Sequence, residues 1–136
     1  MHASILICSA LLGLSIFGLG FYVSMVRART KDIHSAGDDP AGPVMKAVRA
    51  HANATEYVGV ILALFILVGL TYSGRDLGLW MSSLIIGLTL ARFLHAFGMI
   101  TCKSLAQPNP FRFVGALFTY LLGTALTLTL LAKAVI

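Results

Sequence analysis

Charge is scarce in this chain: Asp, Glu, Lys and Arg make up only 11% of its 136 residues, against roughly 25% in a soluble domain. Hydrophobic residues fill 58%, more than a soluble fold of this size can hide, whereas lipid accepts them. Cysteine is nearly absent, with Cys8 inside the first apolar segment and Cys102 near the end of the third. That excludes a disulfide framework, and both thiols are expected to be reduced, Cys8 as a small lipid- or helix-facing residue. No HExxH, paired-Cys spacing, Gly-rich phosphate loop or Ser-His-Asp order occurs, so no metal ligands are expected. The net charge of +5 comes from Lys and Arg at the ends of apolar segments, not from one basic stripe. It therefore points to a membrane boundary and not to nucleic acid. No basic stretch precedes the first apolar run, Ala3–Val26, which is too long for a secretory h-region; Arg27, Arg29 and Lys31 follow it. That order predicts an uncleaved helix with its N-terminus outside. Neither an internal repeat nor a low-complexity tract breaks the chain, and residues 1–136 read as one domain.

What is present is a set of long apolar runs. Ala3–Val26, Ala47–Tyr72, Leu77–Ile100 and Phe113–Ala132 each reach the roughly 20 residues needed to cross the hydrocarbon core. Backbone groups in lipid must be satisfied within the chain, so runs of this length are helices. The connections carry turn chemistry: Gly37-Asp38-Asp39-Pro40 with Gly42-Pro43, then Ser73-Gly74-Arg75-Asp76, then Pro108-Asn109-Pro110. Such links favour neighbouring antiparallel helices. The expected fold is an all-α membrane protein, an antiparallel bundle of four transmembrane helices. Arg27, Arg29, Lys31, Lys46, Arg49, Lys103 and Arg112 flank the first and third loops, and only Arg75 and Lys133 lie opposite. This asymmetry puts both long loops in the cytoplasm and both termini outside. Ser9 with Gly13 and Gly20 with Ser24, each pair four apart in the first helix, are candidates for close helix contacts.

Polar residues inside these runs are the candidates for function. Arg49, Asn53 and Glu56 stand at i, i+4 and i+7 and share one helix face. In the third run, Arg92 and His95 share another about two turns from its cytoplasmic end. An ionisable group at such depth costs about 2.5–3.5 kcal/mol or more. It persists with a partner or a wet cavity. Two readings follow: Glu56 and Arg92 lock helices together as one electrostatic unit, or they line a cytoplasm-facing pocket where Arg49, Arg92 and Arg112 converge on an anion. His51 and Glu56 point about 140° apart on a helix, which disfavours a shared metal.

Arg49-Ala50-His51-Ala52-Asn53-Ala54-Thr55-Glu56-Tyr57 resembles the R-x-x-x-N-x-x-E-Y signature of the MAPEG proteins (membrane-associated proteins in eicosanoid and glutathione metabolism). Ala91-Arg92-Phe93-Leu94-His95-Ala96-Phe97-Gly98-Met99 is similar to the matching third-helix segment of the bacterial members. Arg112 matches the arginine assigned to thiol activation. The resemblance spans essentially the whole chain. It implies a homotrimer in a bacterial inner membrane, termini periplasmic, binding glutathione as co-substrate at subunit interfaces near the cytoplasmic surface. By position it makes Arg49, Asn53, Glu56, Tyr57 and Arg92 glutathione contacts, with His51, His95, Arg27 and Arg29 as further binding candidates. Arg112 becomes the catalytic residue. The eicosanoid synthases of the family carry a tyrosine where this chain has Met99, and a small polar residue where it has Phe113. The loop before Arg112 is also longer. These departures count against a prostaglandin or leukotriene substrate.

The implied reaction is attack by glutathione thiolate on a lipophilic electrophile dissolved in the bilayer, a transferase role of the kind used in detoxification. A free thiol is only about 3% ionised at pH 7, and a guanidinium beside the sulfur raises that fraction while itself staying protonated. The rival readings are glutathione-dependent reduction of lipid hydroperoxides by the same thiolate, and a non-catalytic membrane scaffold or lipid-binding protein.

Overall fold

The computed structural model describes residues 2–135, and its four helices are α1 (Ala3–Thr30), α2 (Pro43–Thr71), α3 (Gly78–Thr101) and α4 (Pro110–Val135). All four are long and apolar enough to cross a membrane, and no strand occurs among the described residues. The chain is an all-α, multi-pass integral membrane protein.

The helix ends differ from the apolar runs because caps, not hydropathy, terminate helices. At Lys31 the backbone turns left-handed (φ 57°) and closes α1, whose last residue, Thr30, lies four beyond Val26, the expected end of the run. Pro43 occupies the first turn of α2, after Gly42, where its missing N–H costs nothing. Asn109 caps α4: its Oδ1 accepts from the Arg112 N–H at 3.0 Å, and Pro110 follows in the first helical position. This Asn-Pro start places α4 three residues before the expected Phe113.

The main core runs through the half of the bundle away from the long loops, where Ile5, Cys8 and Leu12 of α1 meet Val58, Ile61, Phe65 and Val68 of α2. Met81, Leu84, Ile85 and Leu88 of α3 and Leu126 of α4 complete it. Cys8 therefore faces helices and not lipid, and both cysteines are free and buried. Nearer the long loops the core narrows to small residues, with Ala50 and Ala54 of α2 against Leu19 and Met99. The helices form two hairpins, α1 with α2 and α3 with α4, joined mainly through α3, with α2 also meeting α4; the backbones of α1 and α4 do not approach one another. Of the small-residue pairs in α1, Gly20 meets a neighbour, since a Cβ there would lie 3.3 Å from Nε2 of His51. Gly13 faces open space.

Both long loops lie at one end and are tied together. Leu105 N–H donates to Pro40 O at 2.8 Å, and Lys46 Nζ donates to Cys102 O at 3.3 Å. Within the first loop, Ser35 donates its hydroxyl and its N–H to Asp32, which holds that carboxyl below its usual range. The seven basic residues of the sequence reading thus collect at one end of the bundle, as the charge count requires.

Candidate functional site

Beneath the tied loops, where alanines replace bulkier core residues, the structure opens a cleft of about 310 Å³ lined by Arg49, Asn53, His95, Met99, Leu105 and Arg112. Three helices supply it. Arg49 and Asn53 stand on the flank of α2, one turn apart, His95 and Met99 on α3, and Arg112 in the first turn of α4. A second cavity of about 520 Å³ lies beyond Arg112, lined by His95, Pro108, Asn109, Pro110, Arg112, Phe113 and Ala116. His95 and Arg112 belong to both, so they form the wall between a polar cleft and a mostly apolar one.

The Arg112 guanidinium is lightly held, Nη1 donating to Leu105 O at 3.1 Å. Arg92 is the opposite case. It is buried between α2, α3 and α4 at 4% exposure. Nη2 donates to Asn53 Oδ1 at 2.7 Å and to Asn53 O at 3.3 Å. Nη1 reaches Thr119 Oγ1 at 3.5 Å, and the guanidinium carbon lies 4.8 Å from the Tyr57 ring centroid. Charge-assisted hydrogen bonds and the face of an aromatic ring are what a cation at membrane depth requires. Its Nε is buried without a partner.

The Glu56–Arg92 unit does not form within the chain: Asn53, not Glu56, is the partner of Arg92. The reason is helical phase. Ala54 faces the core at 3% exposure, and Glu56, two residues on, lies about 200° round the helix. It is exposed on the outer face of the single chain.

Other expected ligands are likewise outside the cleft. Arg27 donates through Nη2 to Ser35 O at 3.1 Å, and Arg29 is exposed beside it. His51 packs toward Gly20 of α1. Tyr57 lines a separate groove between α2 and α4, where its hydroxyl donates to that of Tyr120 at 3.2 Å. The fold therefore gathers Arg49, Asn53, His95 and Arg112, with Arg92 behind Asn53. It leaves Arg27, Arg29, His51, Glu56 and Tyr57 on other faces.

Residues that sequence reasoning passed over complete the geometry. Asn109 had a legible signal in its Asn-Pro step, a helix-start signature. Gly98 and Gly115 had none, because only the crossing of α3 and α4 reveals what they admit. A Cβ at Gly98 would lie 2.4 Å from Arg112 N, and one at Gly115 would lie 2.5 Å from His95 N.

Searches among curated proteins and solved structures gave no significant match. The family model described as the MAPEG family, by contrast, matches residues 5–132, a span that takes in nearly the whole of all four helices and every cationic residue of the cleft. Four membrane-spanning helices with this arginine-lined cleft at their charged end therefore place the chain in the MAPEG family, whose members include glutathione transferases and related enzymes.

Proposed function

We propose that the chain is a membrane-bound glutathione transferase, acting as a homotrimer with its site open to the cytoplasm. One observation carries this reading: Arg112 lies in the wall shared by a cationic cleft and a mostly apolar cavity. A thiol bound on the polar side and an electrophile entering from lipid on the other meet at its guanidinium. Arg49 and Arg112 attract the carboxylates and sulfur of glutathione, and Asn53, oriented by Arg92, supplies an amide. Arg112 stabilises the thiolate left when the bound thiol gives its proton to water. The sulfur then forms a carbon–sulfur bond as the electrophile releases a leaving group or shifts an electron pair onto a conjugated carbonyl, which takes up a proton. The chain itself forms no covalent intermediate; it contributes position and charge.

The trimer is supported by Glu56. A carboxylate about 20 Å along α2, exposed on the outer face of one chain, is costly against lipid and acceptable against a second copy. Arg27, Arg29, His51 and Tyr57, which lie outside the cleft within one chain, reach a bound tripeptide only across such an interface. The concentration of basic residues on the first and third loops supports a cytoplasmic site and periplasmic termini.

The test is Arg112→Ala in detergent-solubilised protein. Turnover of a chlorodinitrobenzene electrophile falls by about 100-fold, the scale for losing one charge-stabilising donor, while calorimetric affinity for glutathione stays within about threefold. Ultraviolet difference spectra of the parent with glutathione show thiolate, and those of the variant do not. Equal thiolate absorbance in both removes Arg112 from the chemistry. With a lipid hydroperoxide as the second substrate, formation of its alcohol and glutathione disulfide, and no conjugate from the chlorodinitrobenzene, makes the enzyme a peroxidase. Lack of any glutathione binding by the parent leaves a membrane scaffold.

A further inference from the structure

His95 is buried at 9% exposure, and its Nδ1 lies 2.9 Å from the main-chain oxygen of Arg112. A carbonyl oxygen only accepts, so Nδ1 carries the proton in this contact. Asn109 Oδ1 grips the same residue from its other side, through the Arg112 N–H. Beneath both, Gly98 and Gly115 let the first turn of α4 rest on the backbone of α3 with no room for a methyl group. The main chain of Arg112 is thus fixed at three points. Its guanidinium, in contrast, has a single tether on a loop carbonyl.

We propose that His95 is a positioning residue, which holds the Arg112 backbone so that the guanidinium meets the sulfur of the bound thiol. This deepens the reading above and rests on it for the identity of the thiol. It also revises the role implied by position, in which His95 contacts glutathione directly. A fixed root suits a long side chain that must place charge to within a fraction of an ångström, since a misplacement of about 1 Å can cost about 100-fold in rate.

Isosteres separate the two roles. Asparagine places its amide nitrogen where Nδ1 stands, and glutamine places its own near Nε2. His95→Asn therefore keeps the bond to the Arg112 carbonyl, and His95→Gln loses it. Amide hydrogen exchange over residues 109–116 of the ligand-free protein is expected to quicken about tenfold in His95→Gln and to stay near parental in His95→Asn. With glutathione and a chlorodinitrobenzene, kcat falls about 30- to 100-fold in His95→Gln while KM for glutathione stays within about threefold. His95→Asn restores kcat and the parental pH profile. If His95→Gln does not fold, His95→Ala removes the bond without added bulk and carries the same expectations. Unchanged exchange overturns the proposal whatever the kinetics. So does the reverse kinetic pattern, with His95→Gln active and His95→Asn showing a raised KM, since that makes Nε2 a ligand contact. Quickened exchange in His95→Gln, together with a parent that neither binds nor turns over glutathione, upholds the hold on Arg112 and refutes the transferase reading instead.

Discussion

A guanidinium needs more company than one helix face provides, and Arg92 obtains it from the two helices packed against its own. Asn53 accepts twice from Nη2, Thr119 sits at Nη1, and Tyr57 offers its ring. Removing Asn53 strands a buried cation, so Asn53→Ala is expected to cost about 3 kcal/mol, the scale for breaking a buried charged partnership. Arg92→Met loses the same interaction without leaving an orphaned charge. The double variant is therefore expected to cost less than the two singles combined, by 1 kcal/mol or more. Thermal unfolding in detergent measures all three. Glu56→Gln combined with Arg92→Met is expected to be additive in the monomer fold, because the two side chains are not partners there; strong coupling would restore the ion pair.

At the scale of elements, the crossing of α3 and α4 is where packing is least forgiving. The added Cβ of Gly115→Ala meets His95 backbone at 2.5 Å. Backbone cannot swing aside as a side chain can, so the helices must separate. Gly115→Ala is expected to destabilise by about 2 kcal/mol or more. Gly13→Ala on α1 meets nothing within 4 Å and is expected to be neutral or stabilising by up to about 1 kcal/mol. Comparing the two melting temperatures checks whether contact, and not glycine itself, decides the outcome. Gly87 lies between these cases: its added methyl meets only Leu122 Cδ1 at 2.9 Å, the flexible end of a side chain.

For the whole molecule, the two ends of the bundle differ in charge, and that difference gives the topology prediction. In a variant free of Cys8 and Cys102, a cysteine at Ser35 is expected to resist impermeant thiol reagents in intact cells, and one at Ser73 to be labelled. The reverse pattern would invert the protein and turn the cleft away from the cytoplasm. Glu56 gives a second prediction. With Thr55 and Gly59 it is exposed on α2, and a cysteine at Thr55 is expected to form disulfides between copies under mild oxidation in the membrane. Monomeric bands only would leave that carboxylate facing lipid and remove the support for a trimer.

The sequence alone determined the four spans, their antiparallel order, the charged end and the family, because each depends on patterns local to a helix or a loop. Twenty apolar residues cross a bilayer whatever surrounds them, and the segments around Arg49 and Arg92 are contiguous in the chain. The site candidates Arg49, Asn53, Arg92 and Arg112 were legible for the same reason. Partnership was not. Whether Arg92 meets Glu56 or Asn53 depends on how α2 is rotated against α3, and the two residues, three apart, differ by only about 60° of helical phase. Likewise His95 reads as a ligand along the sequence. Only the close crossing of α3 on α4, possible where Gly98 and Gly115 lack side chains, brings its imidazole to the carbonyl of Arg112.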